Sequence, residues 1–490
     1  MTGPSGRTGA GTGRLEILLV LALAAGMAGW RLGAPSLNVD EVFSLELARM
    51  GLADLFQSLR ADSHPPLFYL LLKAWSRAGT SEAWLRLLPV LGHLGAVALL
   101  IHWARRAEGL PTALFAGLLA GCSSWALYRS QEARQYGLLA LLAWVSLYLL
   151  WRRRYALYGL VTVLGLYTHY NMGLLLPVPW LWRLLARDPA GAPPARPLLL
   201  AQAGILVAFA PWLPMLWTQL GHGSGTSTLL VHSVYARPLA LYVADFFRYL
   251  AVGAHSEVPP GASLALTLLF LALVGLGGRA MRDRSLAALL GASILAPLAV
   301  AVAVQVLLGR GLFSPKHGHF LYLAVCFLAG AGLAELRERS RAAAAGVLAT
   351  LLACQALSWH AATFVPEYQN PPWRQIVRDL EERARPGDGI VVFMPYHALA
   401  FHHYQSSELP LYRLEPHLED PRVLPGLLEG LASAHPRVWL VLVHERLEDP
   451  EGRLPAAMDA RFHRTWERVY PNRAEFDRVR TLRYETGGPR

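Results

Sequence analysis

Long runs of apolar residues recur through the first three quarters of the chain, and short polar segments separate them. A hydrocarbon layer is crossed by roughly 20 residues of helix, and most of these runs approach that length. The pattern therefore predicts a bundle of about eleven membrane spans. We place them at 15–30, 84–103, 110–127, 138–151, 155–168, 172–186, 198–217, 262–277, 285–308, 319–334 and 343–360. The runs 138–151 and 155–168 are short, and removing both leaves the sidedness of the others unchanged.

Every second segment between the apolar runs carries a cluster of arginines. The clusters are Arg105-Arg106, Arg152-Arg153-Arg154, Arg183 with Arg187 and Arg196, Arg279 with Arg282 and Arg284, and Arg337 with Arg339 and Arg341. Positive charge marks the cytoplasmic loops of membrane proteins, so these loops and the N-terminus are expected inside. The intervening segments 31–83, 128–137, 168–171, 218–261, 309–318 and the tail from 361 are then expected outside.

The tail has a different pattern. Trp373, Ile376, Val377 and Leu380 repeat at helical spacing, and the runs at 390–394, 438–443 and 478–485 are typical of strands. We therefore predict a mainly α, polytopic transmembrane bundle with a small α/β domain. The expected organisation is a cytoplasmic segment at 1–14, a transmembrane domain at 15–360 and an extracytoplasmic domain at 361–490. The tail holds no nucleotide-binding glycine fingerprint and no metal-ligand spacing.

Composition supports this organisation: 54% of residues are hydrophobic, only 16% are charged, and the net charge is +11. The arginines lie in short clusters between apolar runs, whereas a nucleic-acid partner would require a basic face on a soluble module. No nucleic-acid partner is expected. The three cysteines all lie in apolar segments, so they imply no disulfide framework.

The first candidate for chemistry is the pair Asp40-Glu41, which follows the first apolar run. Adjacent carboxylates can act as a general base or hold a metal. The alternative is a helix N-cap, because the residues 42–50 have a helical pattern. In the motif DSHPPLFYLLLKAW (62–75), two prolines fix the backbone after His64. That histidine is a second candidate, and the alternative is a turn residue at the lipid headgroups.

Three further polar segments lie between apolar runs on the same predicted side. In YRSQEARQYG (128–137), Arg134 is suited to clamp a phosphate, or Glu132 forms an ion pair with Arg129 or Arg134. In YTHYN (167–171), His169 is either a site residue or an aromatic-belt anchor. In FSPKHGHF (313–320), the basic residues could neutralise a lipid phosphate, or else lie in a solvated loop or snorkel to the headgroups. They are Lys316, His317 and His319. By contrast, His93 and His102 are expected to be packed or interfacial residues.

These motifs, in this order and on one side, resemble a known family over roughly residues 15–340. An Asp-Glu pair followed some twenty residues later by His-Pro-Pro-Leu resembles the protein O-mannosyltransferases and the related lipid A aminoarabinose transferases, which are family 39-like members of the GT-C superfamily. The string SQEARQY is similar to the second signature of the bacterial branch. Two departures stand out: His319-Phe320 replaces an Arg-Tyr of many relatives, and Phe68-Tyr69 follow the motif in place of Gly-Lys.

The resemblance implies an integral-membrane glycosyltransferase of a bacterial inner membrane. It would move a sugar from a polyprenyl-phosphate donor to an extracytoplasmic glycan, lipid or protein, with inversion. Asp40 would be the catalytic base and Glu41 its support. The implied donor-phosphate and substrate-binding residues are His64, Glu132, Arg134, Tyr136, His169, Lys316 and His319. A divalent metal is the one cofactor to consider, with Asp40, Glu41 and His64 as candidate ligands.

Two other functions would require different patterns. A transporter or flippase for a lipid-linked sugar would require polar residues at mid-span and broken helices in paired halves. The charged residues instead cluster at span ends, which favours chemistry at the surface. A non-catalytic membrane scaffold would tolerate the loss of the Asp40 carboxylate, whereas an enzyme would not.

Overall fold

The computed structural model describes residues 8–186, 191–222, 238–308, 314–414, 423–445, 449–471 and 478–487. These form two compact units. The first contains the described residues of 8–32, 50–222 and 238–361, and the second contains 33–49 with the described residues from 362 on. The start of the predicted N-terminal segment and parts of the predicted outer loops 218–261 and 309–318 lie outside the described residues. The segment 33–49, which the hydropathy pattern joined to the membrane domain, belongs to the second unit.

The described part of the chain is mainly helical, as predicted. Its α-helices up to the end of the first unit are α1 Thr8–Gly29, α2 Val39–Arg49, α3 Leu52–Ser58, α4 Leu67–Trp75, α5 Glu82–Ala107, α6 Leu110–Gly121, α7 Ser124–Ser130, α8 Tyr136–Trp151, α9 Tyr155–Thr168, α10 Val178–Leu185, α11 Ala195–Phe209, α12 Leu213–His222, α13 Leu239–Val252, α14 Pro260–Ala280, α15 Arg284–Leu308, α16 Tyr322–Arg339 and α17 Arg341–Phe364. Of these, only α2 belongs to the second unit throughout.

Six helices of the described residues are long and apolar enough to cross a membrane, or seven if one bent pair counts as a span. The six are Glu82–Ala107, Ala195–Gly221, Pro260–Ala280, Arg284–Leu307, His319–Arg339 and Arg341–Phe364. The predicted total of about eleven is therefore not confirmed. As expected from their length, α8 and α9 are shorter apolar helices. The predicted span 172–186 is divided between a 3₁₀ turn at Tyr170–Leu175 and the eight-residue α10.

Helix α16 is the central helix of the first unit, packed against α6 and α14. Small residues allow this close approach. A Cβ atom on Gly332 would lie 2.1 Å from the carbonyl oxygen of Leu273, and one on Gly277 would meet the carbonyl oxygen of Leu328. Association through small residues is typical of membrane helices, where lipid supplies little hydrophobic drive between them. Leucines on α1, α9 and α11 remain exposed, as expected of a lipid-facing surface.

A sharp break separates α6 from α7, which meet at an angle of 59°. The break frees backbone groups that lipid cannot satisfy, and the buried Gln355 of α17 replaces part of the lost helical hydrogen bonding. Its carboxamide oxygen accepts hydrogen bonds from the backbone N–H and the hydroxyl of Ser124, both at 2.9 Å. Its amide group donates to the carbonyl oxygens of Tyr249 and Leu250 at 3.1 and 2.9 Å. This hydrogen-bond network around Gln355, here called the polar knot, fixes α7 and the turn that follows it.

Replacing Gln355 with Leu is expected to destabilise the first unit by about 2–4 kcal/mol, because four buried hydrogen bonds lose their partner together. The melting temperature of the purified full-length protein in detergent measures this loss. Gln202→Leu is a less severe comparison, since Gln202 is half-buried, with Trp180 and Leu176 among its partners. Equal melting temperatures for wild type and Gln355→Leu would contradict the role given to the knot.

The arginine-rich loops meet at one end of the first unit. The Glu108 carboxylate accepts hydrogen bonds from the backbone N–H groups of Arg282 and Asp283 at 3.0 and 3.1 Å. Trp151 donates to the Asp283 carboxylate at 3.2 Å, and Arg153 donates to the carbonyl oxygen of Gly191 at 3.3 Å. Loops that the sequence placed on one side of the membrane by charge alone are therefore hydrogen-bonded to one another.

The second unit contains a five-stranded sheet in the order β2-β1-β3-β5-β4. The strands are β1 Gly389–Phe393, β2 Leu411–Leu414, β3 Arg437–Leu442, β4 His463–Tyr470 and β5 Val479–Glu485, and its remaining helices are α18 Trp373–Glu381, α19 Pro395–Tyr404, α20 Val423–Ala434 and α21 Arg453–Arg461. Strands β2, β1 and β3 are parallel, whereas β5 and β4 continue the sheet in antiparallel fashion. The predicted strands at 390–394, 438–443 and 478–485 and the helix at 373–380 are confirmed.

The middle of the sheet is the hydrophobic centre of this unit. On one side, Phe393, Leu440 and Leu482 pack with residues of α20 and α21. Strand β2 lies on one side of β1 and β3 lies on the other, so the direction of the strand order reverses at β1. The carboxyl ends of β1 and β3 therefore form a switch point, which is the usual ligand-binding edge of such sheets. Both strand ends are followed by a residue with positive φ: Met394 at 75° and His444 at 56°.

Candidate functional site

Four separate segments of the first unit bring aromatic and basic side chains together. The rings of His64 and His169 lie 5.4 Å apart between centroids, and His169 lies 6.3 Å from His317 and 6.1 Å from Tyr136. The ammonium group of Lys316 lies 5.5 Å from the centre of the Tyr136 ring. We call these five residues the histidine–lysine cluster. Since α8 runs from Tyr136 to Trp151, the cluster lies at the end of the bundle opposite the arginine-rich loops.

His64 is held by its neighbours along the chain. Its Nδ1 lies 3.2 Å from the carboxylate of Asp62, and that carboxylate accepts a hydrogen bond from the Tyr69 hydroxyl at 2.7 Å. Pro65 and Pro66 precede α4, which begins at Leu67. Gln219 donates to the carbonyl oxygen of His64 at 3.2 Å. His64 is therefore held in place both at its imidazole ring and at its backbone carbonyl group.

His169 ends α9, where the backbone turns from helical to extended. Its Nδ1 accepts a hydrogen bond from the backbone N–H of Asn171 at 3.0 Å, and the Asn171 amide donates to the carbonyl oxygen of His317 at 3.0 Å. Because Nδ1 is an acceptor, the neutral ring carries its proton on Nε2. Within the described residues, this buried Nε2 has no hydrogen-bond partner. It is thus a donor available to a ligand.

The end of α7 and the turn after it carry three charged residues. Arg129 forms an ion pair with Glu132 at 2.9 Å, one of the two pairings that the sequence allowed. Arg134 is buried in the same turn, and its positive charge acts on both Asp62 and His169. The turn therefore places the Arg134 guanidinium in the electrostatic field of the histidine–lysine cluster.

The pKa values in the cluster report a positive local potential. Burial raises the pKa of Asp62, but His64, Arg134 and the Tyr69 hydroxyl together hold it below its usual value. Burial is also the first cause that lowers the pKa of His169 well below 6.5, followed by the charges of His64, His317, Arg134 and Lys316.

Burial likewise lowers the pKa of His317 to about 3, with Lys316, His64 and Arg129 adding to the effect. At neutral pH His169 and His317 are therefore uncharged, and the formal charges of the neighbouring side chains are those of Arg129, Arg134 and Lys316 against Asp62 and Glu132. One positive charge is left in excess among these five groups. A buried excess positive charge beside neutral histidine donors favours an anion.

The pH dependence of stability follows from His317. Its pKa falls from about 6.5 in the unfolded chain to about 3 in the folded protein, so the unfolded state binds the proton first. The stability contributed by the neutral ring is complete above about pH 6.5 and is lost as the pH falls toward 3. We expect the melting temperature of the wild type to decline from pH 7 to pH 5. Over that range the contribution of this group to the free energy of unfolding falls by about 1 kcal/mol per pH unit. His317→Gln should reduce that slope, whereas His402→Gln, at an exposed position, should leave it unchanged.

His319 has a different environment from the rest of its segment. It is fully buried against Trp125 and Tyr322, with ring centroids 5.0 and 5.1 Å away. Neither ring nitrogen has a hydrogen-bond partner among the described residues. Its contacts are thus those of a packed residue under the cluster. His93, expected to be packed, is also fully buried and lies 2.9 Å from the Tyr322 hydroxyl through its Nδ1.

The acid pair belongs to the second unit, at the start of α2. Glu41 and Asn38 form a capping box: the Glu41 carboxylate accepts from the backbone N–H of Asn38, and the Asn38 side chain accepts from that of Glu41, both at 2.9 Å. The sequence offered Asp40 as the N-cap of this helix; in the structure the helix begins at Val39, so Asn38 is the N-cap and Glu41 completes the capping box. Asp40 projects elsewhere, and its carboxylate accepts a hydrogen bond of 2.6 Å from the Tyr396 hydroxyl.

The predicted metal site gains no support from the geometry. Across the described ranges, which include Asp40, Glu41 and His64, no three His, Cys, Asp or Glu side chains are grouped so that they could hold a metal ion. The metal remains a prediction from the sequence alone.

Sequence reasoning missed two residues that shape these sites: Gln219, which supports the His64 loop, and Tyr396, which bonds Asp40. Asn171, which joins His169 to His317, lies in the polar segment YTHYN that the sequence singled out. Gln219 lies next to an apolar run, which was the only signal for it. Tyr396 follows the first predicted strand of the tail and had no distinguishing signal.

No protein-family model and no curated protein sequence matches the chain. Solved structures do match it. ArnT from Cupriavidus metallidurans in the apo state is 16% identical with a TM-score of 0.60, over 98% of this chain and 100% of that one. The same protein bound to undecaprenyl phosphate is 16% identical with a TM-score of 0.58, over 95% and 97%.

An Archaeoglobus fulgidus oligosaccharyltransferase tethered to an acceptor peptide is 12% identical with a TM-score of 0.53, over 97% of this chain and 74% of that one. ArnT is an aminoarabinose transferase, and both proteins are GT-C membrane glycosyltransferases. At these identities the likeness concerns the fold, and it agrees with the resemblance carried by the motifs. The chain has the fold of ArnT and of the archaeal oligosaccharyltransferase.

Proposed function

We propose that this protein is a membrane glycosyltransferase that moves a sugar from a polyprenyl-phosphate carrier to an acceptor outside the cytoplasm, with inversion. The observation that carries the proposal is the histidine–lysine cluster with Arg134, a buried site of excess positive charge at one end of an ArnT-like bundle. The ArnT structure with undecaprenyl phosphate supports a carrier of this chemistry.

The carrier phosphate is the leaving group of such a reaction. Negative charge grows on its oxygens as the bond to the sugar breaks, and fixed positive groups stabilise that charge in a site from which water is excluded. Arg134 and Lys316 would supply the charge, and the Nε2–H of His169 would supply a neutral donor. Asp62 would keep the imidazole of His64 oriented toward the same anion.

The acceptor must lose a proton as it attacks. A carboxylate held ionised by a hydrogen-bond donor can take that proton, and Asp40 matches this requirement through its contact with Tyr396. Glu41 would act as the helix cap that keeps Asp40 in place. Under the positive-inside rule, the cluster and the acid pair would face the outside of a bacterial inner membrane.

Binding and turnover of defined carriers test the proposal. Full-length protein in nanodiscs is heated with and without undecaprenyl phosphate, and a panel of undecaprenyl-phosphate sugars is then incubated with it and a cell-envelope extract as acceptor. We expect undecaprenyl phosphate to raise the melting temperature, and one donor to release undecaprenyl phosphate as its sugar enters the extract. The proposal is refuted if undecaprenyl phosphate leaves the melting temperature unchanged and no donor in the panel transfers its sugar. Movement of an intact donor across proteoliposomes would instead identify a flippase.

A further inference from the structure

Asp40 lies against the ligand-binding edge of the α/β sheet in the second unit. Helix α2 packs against α19, the helix that follows β1. The Tyr396 hydroxyl, in the first turn of α19, donates to the Asp40 carboxylate at 2.6 Å, and the Tyr396 ring lies 6.4 Å from that of Phe43. Both members of the hydrogen bond are half-buried, which strengthens it relative to one in bulk water.

The backbone around Tyr396 is specially constrained. Met394, which precedes α19, has a φ of 75°, a strained conformation for a non-glycine residue. Its N–H donates to Leu414 of β2, and its carbonyl oxygen accepts from the N–H of His397. The constraint turns the chain abruptly from β1 into α19. Tyr396 is thereby aimed back across the strand end.

Two histidines close the same strand ends beneath Tyr396. The rings of His397 and His444 lie 4.6 Å apart, and His397 stacks on Trp373 at 5.9 Å. His444, with a φ of 56°, follows β3 and is the second strained residue at this edge. Strain at both strand ends of a switch point is typical of a site that positions side chains for function.

We propose that the C-terminal domain supplies part of the catalytic site, and that Tyr396 is a positioning residue that holds the Asp40 carboxylate. This inference rests on the proposed function, in which Asp40 is the base. It assigns the tail a role in the reaction itself. A second contact anchors the segment before α2: the Tyr404 hydroxyl, at the other end of α19, accepts from the backbone N–H of Leu37 at 2.7 Å.

Tyr396→Phe and Tyr404→Phe form a matched pair of variants. Each removes one hydroxyl that links α19 to the segment 33–49, but only Tyr396→Phe removes a donor to the carboxylate. In the donor assay we expect Tyr396→Phe to lower kcat about ten- to a hundredfold, with the KM for the donor within about twofold of wild type. The acidic limb of its pH profile should move up by about one unit, because the ionised carboxylate loses a donor. Tyr404→Phe should keep kcat and the pH profile within about twofold and a few tenths of a unit.

Hydrogen–deuterium exchange provides a readout without turnover. Tyr396→Phe and Asp40→Ala should both accelerate amide exchange in α2, relative to wild type at the same pH. If Tyr396→Phe matches wild type in kcat, or in the exchange of α2, the inference fails. If Asp40→Asn is also fully active, the proposed function fails with it. An inactive Asp40→Asn beside a fully active Tyr396→Phe would refute the positioning role alone.

Discussion

Replacing Asp40 with Asn is expected to lower the rate of sugar transfer about a thousandfold or more, within the range found when a general base is removed. The amide is isosteric with the carboxylate, and its oxygen can still accept the hydrogen bond from Tyr396, so the geometry at α2 should persist. What is lost is the capacity to accept the acceptor's proton. Initial rates with the best undecaprenyl-phosphate sugar measure the effect, and the melting temperature should stay within about two degrees of wild type.

Two nearby acids serve as controls for Asp40. Glu46 lies on the same helix and pairs with Arg49 at 2.8 Å on an exposed surface, so Glu46→Gln should leave the rate unchanged. Glu41→Gln weakens the capping box and should cost about 1 kcal/mol of stability, with a smaller loss of rate than Asp40→Asn. A rate above about a tenth of wild type for Asp40→Asn would exclude Asp40 as the base.

The fold was predictable where it depends on the spacing of apolar residues. Helical spacing gave α18, and apolar runs bounded by turns gave β1 and β3. Strand β5 was predicted from a mixed run, with three charges among its seven residues. The edge strand β4 was missed because most of its residues face solvent, so they lack an apolar pattern. The break between α6 and α7 was missed because Cys122 and Ser123 are not helix breakers, and the polar partner that stabilises the break, Gln355, lies far away in the sequence.

The candidate site was predictable in its residue types but less so in its partners. His64, Arg134, His169 and Lys316 could be named because charged and imidazole side chains next to membrane spans are costly unless they bind something. Their supporting groups could not be named, because a carboxamide such as Gln219 is unremarkable until the chain is folded. The Asp-Glu pair shows the same limit, since only coordinates separate the capping role of Glu41 from the projecting carboxylate of Asp40.

Replacing Arg134 is expected to have the second largest effect on the rate of sugar transfer. Its planar guanidinium can hold two phosphate oxygens at once. Behind burial and the neighbouring histidines, its charge also helps to lower the pKa of His169, and behind His64 it helps to lower that of Asp62 against the opposing effect of burial. Arg134→Gln should weaken undecaprenyl phosphate binding about tenfold to a hundredfold and lower kcat about a hundredfold or more, because charge on the leaving phosphate loses its main stabiliser. Titration in nanodiscs and initial rates measure the two effects separately.

Further variants separate charge from geometry at this position. Arg134→Lys keeps the charge but loses the two-pronged contact, so it should recover part of the binding and less of the rate. Lys316→Gln removes a half-exposed cation with less risk to folding and should weaken binding about tenfold. Arg106→Gln, an exposed arginine at the opposite end of the bundle, controls for net charge. If Arg134→Gln and Lys316→Gln both bind undecaprenyl phosphate like wild type, the carrier phosphate lies elsewhere and the histidine–lysine cluster needs another anion.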